Sequence, residues 1–190
     1  MYKDFKLAEV LVPLLEEYAK EALVLYNGYS AELDARKQQV DKNKPNTSQI
    51  VRSLQDVCDM HMGNYQICSR IIEEAKRIYG ETRLGASLYN KKKDTILQKG
   101  ILELEKLFKS DECMDILGKI AYRYYKKDKF LIAITPELDD NTIFNRSIAL
   151  LQLRNNQIIS DDDYILLDTL QRALPHSKSF KNEIKPTTQR

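Results

Sequence analysis

The sequence predicts an all-α protein, in which a long antiparallel helical hairpin is followed by a smaller bundle of four or so helices. Apolar residues recur at steps of three and four over most of the 190 residues, which is the period of an amphipathic helix. Glycine (6) and proline (5) are too scarce for the many tight turns of a β fold. We expect the hairpin to occupy residues 1–80, the bundle residues 81–176, and a flexible tail without a hydrophobic face residues 177–190.

The first helix is expected from Pro13, or a little earlier, to about Val40. Its apolar residues follow one another at three or four positions and therefore share one face of a helix: Leu14, Tyr18, Ala22, Leu25, Tyr29 and Leu33. Residues 4–12 could form a preceding turn or two, kinked at the proline. The polar segment 41–48 contains Pro45 and is typical of a connector.

The second helix is predicted more strongly, because a ladder of apolar and aromatic residues continues from about residue 48 until Gly80. A helix of that length, roughly 45 Å, needs a partner of similar length to cover its stripe, and the first helix is the nearest candidate. We interpret the ladder as a possible seam for association as well as for folding. Its members are Ile50, Leu54, Val57, His61, Tyr65, Cys68 and Ile72.

The smaller bundle is predicted from helical periodicity and from start and stop signals. Ser110 and Ser160 stand where an N-cap is expected, and Pro175 is expected to end the last helix. The segment 130–135 could extend a helix or form a buried extended segment, and periodicity does not separate these two structures. The expected helices are 94–108, 111–127, 142–155 and one that starts at Asp161.

Composition limits the classes of function. The three cysteines match no disulfide scaffold, so we expect reduced thiols and a cytoplasmic protein. Charged residues interrupt the N-terminal segment, and no run approaches about 18 apolar residues, so we expect neither a signal peptide nor a membrane protein. Two histidines and the lack of a glycine-rich phosphate loop favour a protein that is not an enzyme and has no cofactor.

Two patterns invite a metal-site hypothesis. Cys58 and His61 have the i, i+3 spacing that two ligands could use, but a zinc site needs three or four ligands. Residues 161–163 are all aspartate, yet neighbouring side chains of a helix diverge by about 100° and cannot converge on one ion. Carboxylates in a first helical turn are stabilised by the helix dipole. We therefore expect no metal.

A basic and aromatic segment gives an alternative function. Residues 76–133 hold 14 basic and 8 acidic side chains, and tyrosines alternate with several of the cations. Basic groups neutralise phosphates and aromatic rings stack on unpaired bases, although some of these tyrosines fall on the expected core face. The candidate nucleic-acid patch is Lys91, Lys92, Lys93, Arg123, Lys126 and Lys127.

Two hypotheses follow from these patterns. The leading one is a non-enzymatic helical assembly or adaptor protein, which associates with a protein partner or with a second copy of itself. The alternative is a nucleic-acid-associated accessory protein, for example of a phage or another mobile element, which uses the basic patch.

Overall fold

A computed structural model describes residues 5–39, 45–127 and 140–184, and every regular element within these ranges is helical. The all-α prediction is confirmed. The α-helices are α1 (Lys6–Gln38), α2 (Pro45–Leu88), α3 (Lys93–Phe108), α4 (Asp111–Lys126), α5 (Asp140–Asn155), α6 (Asp161–Ala173) and α7 (Lys178–Ile184). The chain divides into two compact units, of which one is Val12–Glu74 and the other combines Met1–Leu11 with Ala75–Arg190.

The unit Val12–Glu74 is an antiparallel pair formed by α1 and α2, as the sequence predicts. The Asn64 side-chain amide donates to the Tyr18 hydroxyl at 3.3 Å, and Lys37 Nζ donates to Gln55 Oε1 at 3.4 Å. Residues later in α1 therefore contact residues earlier in α2, as expected for two antiparallel helices. The buried apolar residues of this unit are Leu15, Tyr18, Ala19, Ala22, Leu33, Cys58, Cys68, Ile71 and Ile72.

Two helix boundaries differ from the simplest expectation. The residues before Pro13 belong to the same helix as those after it, because a proline inside a helix removes one backbone hydrogen bond without ending the helix in every context. The prediction that the second helix ends at Gly80 is wrong, since α2 continues to Leu88. An interior glycine costs only about 1 kcal/mol relative to alanine. Burial of Thr82 and Ala86 in the following turns offsets that cost.

The second unit is organised around α4, which contacts α6, α7 and a short 3-10 turn at Leu174–His176. α4 comes close to the segment after α6 at Gly118, where an added Cβ would lie 2.9 Å from the Ala173 carbonyl oxygen and 2.9 Å from the Ser177 nitrogen. Both predicted caps are present. Ser110 Oγ accepts from the Cys113 N–H at 3.4 Å, and Ser160 Oγ accepts from the Asp163 N–H at 3.0 Å.

The region expected as a flexible tail contains α7. Phe180 of this helix is fully buried, and its ring meets the Tyr125 ring edge to face, with 5.5 Å between centroids. The expectation that residues 177–184 have no hydrophobic face is therefore wrong, because one aromatic side chain fixes this short helix to its unit. The expected flexibility of 185–190 and the two interpretations of 130–135 fall outside the described residues.

Candidate functional site

The predicted association seam on α2 divides into a covered part and an uncovered part. Cys68 and Ile72 are buried within the hairpin. His61 is half-buried and stacks on Tyr29 of α1, with 5.6 Å between ring centroids and 4° between ring planes. Towards the start of α2 the same ladder reaches solvent, where Ile50 is 48% exposed. Residues 50–57 of the seam are therefore only partly used in folding the hairpin.

An open groove of about 640 Å³ lies along this uncovered part of α2. The wall is a continuous helical surface formed by Gln49, Ile50, Ser53, Leu54 and Val57. Met60, which is 50% exposed, lies one helical turn beyond Val57 and two turns beyond Ser53 on the same side of α2. We call the surface formed by Gln49, Ile50, Ser53, Leu54, Val57 and Met60 the association face. It is apolar in its centre and carries amide and hydroxyl groups at its edge.

The composition of α1 explains why this face stays uncovered. After Ala22, α1 has one buried apolar residue, Leu33. Positions 34–38 of α1 are mostly charged or amide residues. Where α1 runs opposite Gln55, it presents Lys37, which donates a hydrogen bond instead of an apolar contact. The buried apolar positions of α1 therefore end at Leu33, and the described side chains at positions 47–57 of α2 are half-buried or exposed.

The six residues of the candidate nucleic-acid patch belong to two places in the second unit. Lys91 and Lys92 form a 3-10 turn, and Lys93 begins α3. The remaining three, Arg123, Lys126 and Lys127, lie at the end of α4 and just after it. The lysines are exposed, whereas Arg123 is half-buried.

The part of the patch on α4 is engaged in packing. Lys126 forms an ion pair with Glu183 of α7, and this hydrogen bond raises the pKa of Lys126 above its ordinary value. Its Nζ also lies 5.7 Å from the centre of the Tyr122 ring, and the Tyr125 ring packs on Phe180. If Tyr122 or Tyr125 stacked on a nucleic-acid base, its ring would have to give up its present contact with Lys126 or Phe180. Lys91–Lys93, next to Tyr89 with 62% exposure, form the more accessible part of the patch.

The aspartates 161–163 have separate partners and do not surround a common point. Asp162 accepts from Lys6 Nζ at 2.8 Å, and that hydrogen bond raises the pKa of Lys6. Asp161 lies 3.9 Å from Nε of Arg154, and Asp163 accepts from the hydroxyl of Ser160 at 2.7 Å. Within the described ranges, no three His, Cys, Asp or Glu side chains are placed to hold a metal ion.

Sequence reasoning missed a second cavity, of about 670 Å³, in the unit that combines Met1–Leu11 with Ala75–Arg190. Tyr79 and Arg83, four residues apart on α2, both line it. Their spacing is a signal that the sequence does carry, because residues at i and i+4 of a helix are neighbours. The contribution of Phe5 is not visible in the sequence, since it lies more than 70 positions away.

No protein-family model, no curated protein and no solved structure matches this chain. Among the helices that the structure describes, none combines the length and the apolar character needed to cross a bilayer. Any function is therefore inferred from the geometry of the residues themselves.

Proposed function

We propose that this protein is a non-enzymatic helical adaptor, which binds a helix of a partner protein along the association face. The uncovered ladder of α2 carries the proposal: Ile50, Leu54 and Val57 follow one another at four and three residues beside an open groove. This is the spacing with which one helix packs against another in a coiled coil. A partner helix with apolar side chains at the same spacing would extend the helical packing of the hairpin beyond the point where α1 stops supplying it.

Burial of this face would contribute appreciably to binding. Each large aliphatic side chain that becomes fully covered contributes roughly 1.5–3 kcal/mol. With Ile50 and Met60 about half exposed, the gain from these two side chains is about half of that range for each of them. The partner can be another protein or a second copy of this chain, because either can supply such a helix.

Site-specific photocrosslinking tests the proposal. A photoreactive amino acid is placed at position 50 or 54, inside the face, and in a matched pair at position 52 or 56, which lie on the same turns of α2 but do not line the groove. We expect adducts from positions 50 and 54, either of dimer mass or of higher mass with another protein. Leu54→Glu should remove the adduct at position 50, since a charge in the groove opposes apolar packing.

Light scattering with the same variants separates the two kinds of partner. A mass that rises with concentration and falls in Leu54→Glu indicates self-association, and a constant monomer mass together with a hetero-adduct indicates a different protein. Equal crosslinking at all four positions, or none at 50 and 54, would refute a binding role for this face. Circular dichroism of Leu54→Glu checks that the hairpin stays folded.

A second function, binding of nucleic acid, is favoured by the exposed run of Lys91, Lys92 and Lys93 beside exposed Tyr89. Each cation that contacts a phosphate releases counterions, so binding should weaken steeply with salt. We propose that these three lysines contribute more to such binding than the cations of α4, because Lys126 is paired with Glu183.

Retention of single-stranded DNA and RNA, measured as a function of salt, tests this second function. Replacing the three lysines by alanine should abolish retention, whereas replacing Lys126 and Lys127 should reduce it less. If the unaltered protein is not retained at low salt, or if the α4 variant loses as much as the other, the assignment to Lys91–Lys93 is wrong.

A further inference from the structure

The cavity of about 670 Å³ has the size of a small-molecule site, for which about 300–1,000 Å³ is usual. It lies within one unit and is formed by the start of α1, the end of α2 and the start of α3. The residues that decide its chemistry are Phe5, Glu9, Tyr79, Arg83, Lys93 and Leu97. All six border the same open space, so one small ligand bound there could contact several of them.

One wall of the cavity carries a guanidinium group that is already oriented. Arg83 Nη1 donates to the Tyr79 hydroxyl at 2.6 Å, and the guanidinium carbon lies 5.3 Å from the centre of the Tyr79 ring. Holding an exposed arginine in one geometry lowers the entropy that is lost when it binds a ligand. The remaining N–H groups of its planar fork are suited to two oxygens of one anion.

The charges of the lining favour an anion. Lys93, at the start of α3, supplies a second cation to the lining. Glu9 is the acidic member of the lining. Two cations against one carboxylate leave the cavity positive, and the carboxylate remains available to accept a hydrogen bond from a hydroxyl or amino group of a ligand.

The remaining lining is apolar and aromatic. The Phe5 ring meets the Tyr79 ring edge to face with 5.0 Å between centroids, and Ala86 and Leu97 are buried members of the same lining. We propose that this cavity binds a small phosphomonoester with a planar aromatic body, of which a mononucleotide is the simplest representative. Arg83 and Lys93 hold the phosphate, the apolar wall covers the ring, and Glu9 accepts from a sugar hydroxyl or a ring amino group.

Isothermal titration with three probes tests the proposal: adenosine monophosphate, adenosine and inorganic phosphate. We expect adenosine monophosphate to bind at least about tenfold more tightly than either of the other two, because only it engages both the cations and the apolar wall. Arg83→Ala and Lys93→Ala should each weaken that binding by about tenfold or more, which corresponds to the loss of one charge-assisted contact. Glu9→Gln should change that binding less, since the amide oxygen of glutamine can still accept a hydrogen bond from a hydroxyl or amino group.

Lys92→Ala is the matched control, because it removes the same charge one position earlier and Lys92 does not line the cavity. Its affinity for adenosine monophosphate should stay within about twofold of the unaltered protein at physiological salt, where exposed charges are screened. Arg83→Lys keeps the charge but not the planar fork, and it should bind with an intermediate affinity if the site forms correctly.

Three results would overturn the assignment. The first is the absence of measurable heat with adenosine monophosphate at millimolar concentration. The second is an equal loss in Lys92→Ala and Lys93→Ala, which would indicate a general charge effect. The third is equal affinity for adenosine and its monophosphate, which would exclude a phosphate contact. Because the association face belongs to the other unit, its crosslinking is expected to be unchanged in every variant tested here.

Discussion

Gly118 gives the sharpest test of the packing between α4 and the segment that joins α6 to α7. A Cβ at this position would lie 2.9 Å from the Ala173 carbonyl oxygen, 2.9 Å from the Ser177 nitrogen and 3.2 Å from the His176 carbonyl carbon. All three are backbone atoms, so none can turn aside as the end of a side chain could. Forcing an extra carbon into such a site typically costs about 1–3 kcal/mol.

Gly80→Ala is the matched control for Gly118→Ala. Gly80 lies inside α2, in the same unit, and an added Cβ there would meet nothing within 4 Å. Both substitutions gain about 1 kcal/mol of helix propensity, so the difference between the two variants isolates the steric cost at Gly118. We expect Gly80→Ala to stabilise the protein and Gly118→Ala to be about 1–3 kcal/mol less stable than Gly80→Ala.

Thermal unfolding followed by far-ultraviolet circular dichroism measures this difference. For a chain of this size, 1 kcal/mol shifts Tm by about 2–4 °C, so the two variants should differ by at least about 2 °C. Equal Tm values, or a higher one for Gly118→Ala, would show that the close approach of α4 to Ala173 and Ser177 does not exist in solution.

Three further predictions concern α7, a helix cap and an ion pair. Phe180→Ala should lower the free energy of unfolding by about 3–5 kcal/mol and abolish the protection of the α7 amides from hydrogen exchange. Lys181→Ala, on the exposed side of α7, should change both quantities little. Preserved amide protection in Phe180→Ala would contradict the burial of this ring. Ser160→Ala should cost about 1 kcal/mol in urea unfolding, because the Asp163 N–H loses its acceptor, and Ser160→Asp should restore most of it. Asp162 raises the pKa of Lys6 above 10.5, so the ion pair stabilises the fold below that pH and is lost as pH rises through the folded-state pKa. The stability of Lys6→Met and of the unaltered protein should therefore converge at high pH in low salt, and a gap that stays constant up to about pH 12 would refute the pairing.

The parts of the fold that were predictable are those with local causes. Ser110 and Ser160 cap helices through a hydrogen bond to a residue three positions on, and that geometry depends on the neighbouring sequence alone. The antiparallel hairpin follows from two long stripes and one short connector. A role of the seam in association stays a prediction, because the exposure of Ile50 does not show what binds there.

The parts that could not be predicted depend on distant residues. The continuation of α2 past Gly80 depends on Thr82, which packs against Gly100 of α3. A Cβ added at Gly100 would lie 2.1 Å from the hydroxyl oxygen of Thr82. Burial of Phe180 depends on a pocket against Tyr125, more than 50 positions earlier. A single aromatic residue in a polar segment gives no periodic signal, and only the folded unit shows where it packs.

The three buried cysteines allow local unfolding of the chain to be measured by thiol labelling. Cys58 and Cys68 lie in the hairpin unit and Cys113 in the other, and none presents its sulfur to solvent. A thiol reagent reacts with an accessible thiolate, so each sulfur can be modified only while its surroundings are transiently open. The labelling rates of two versions of the protein, one retaining Cys58 and the other Cys113, would give the opening free energy of each unit under native conditions. Buried thiols of this kind also delay damage by mild oxidants for as long as the helices stay closed.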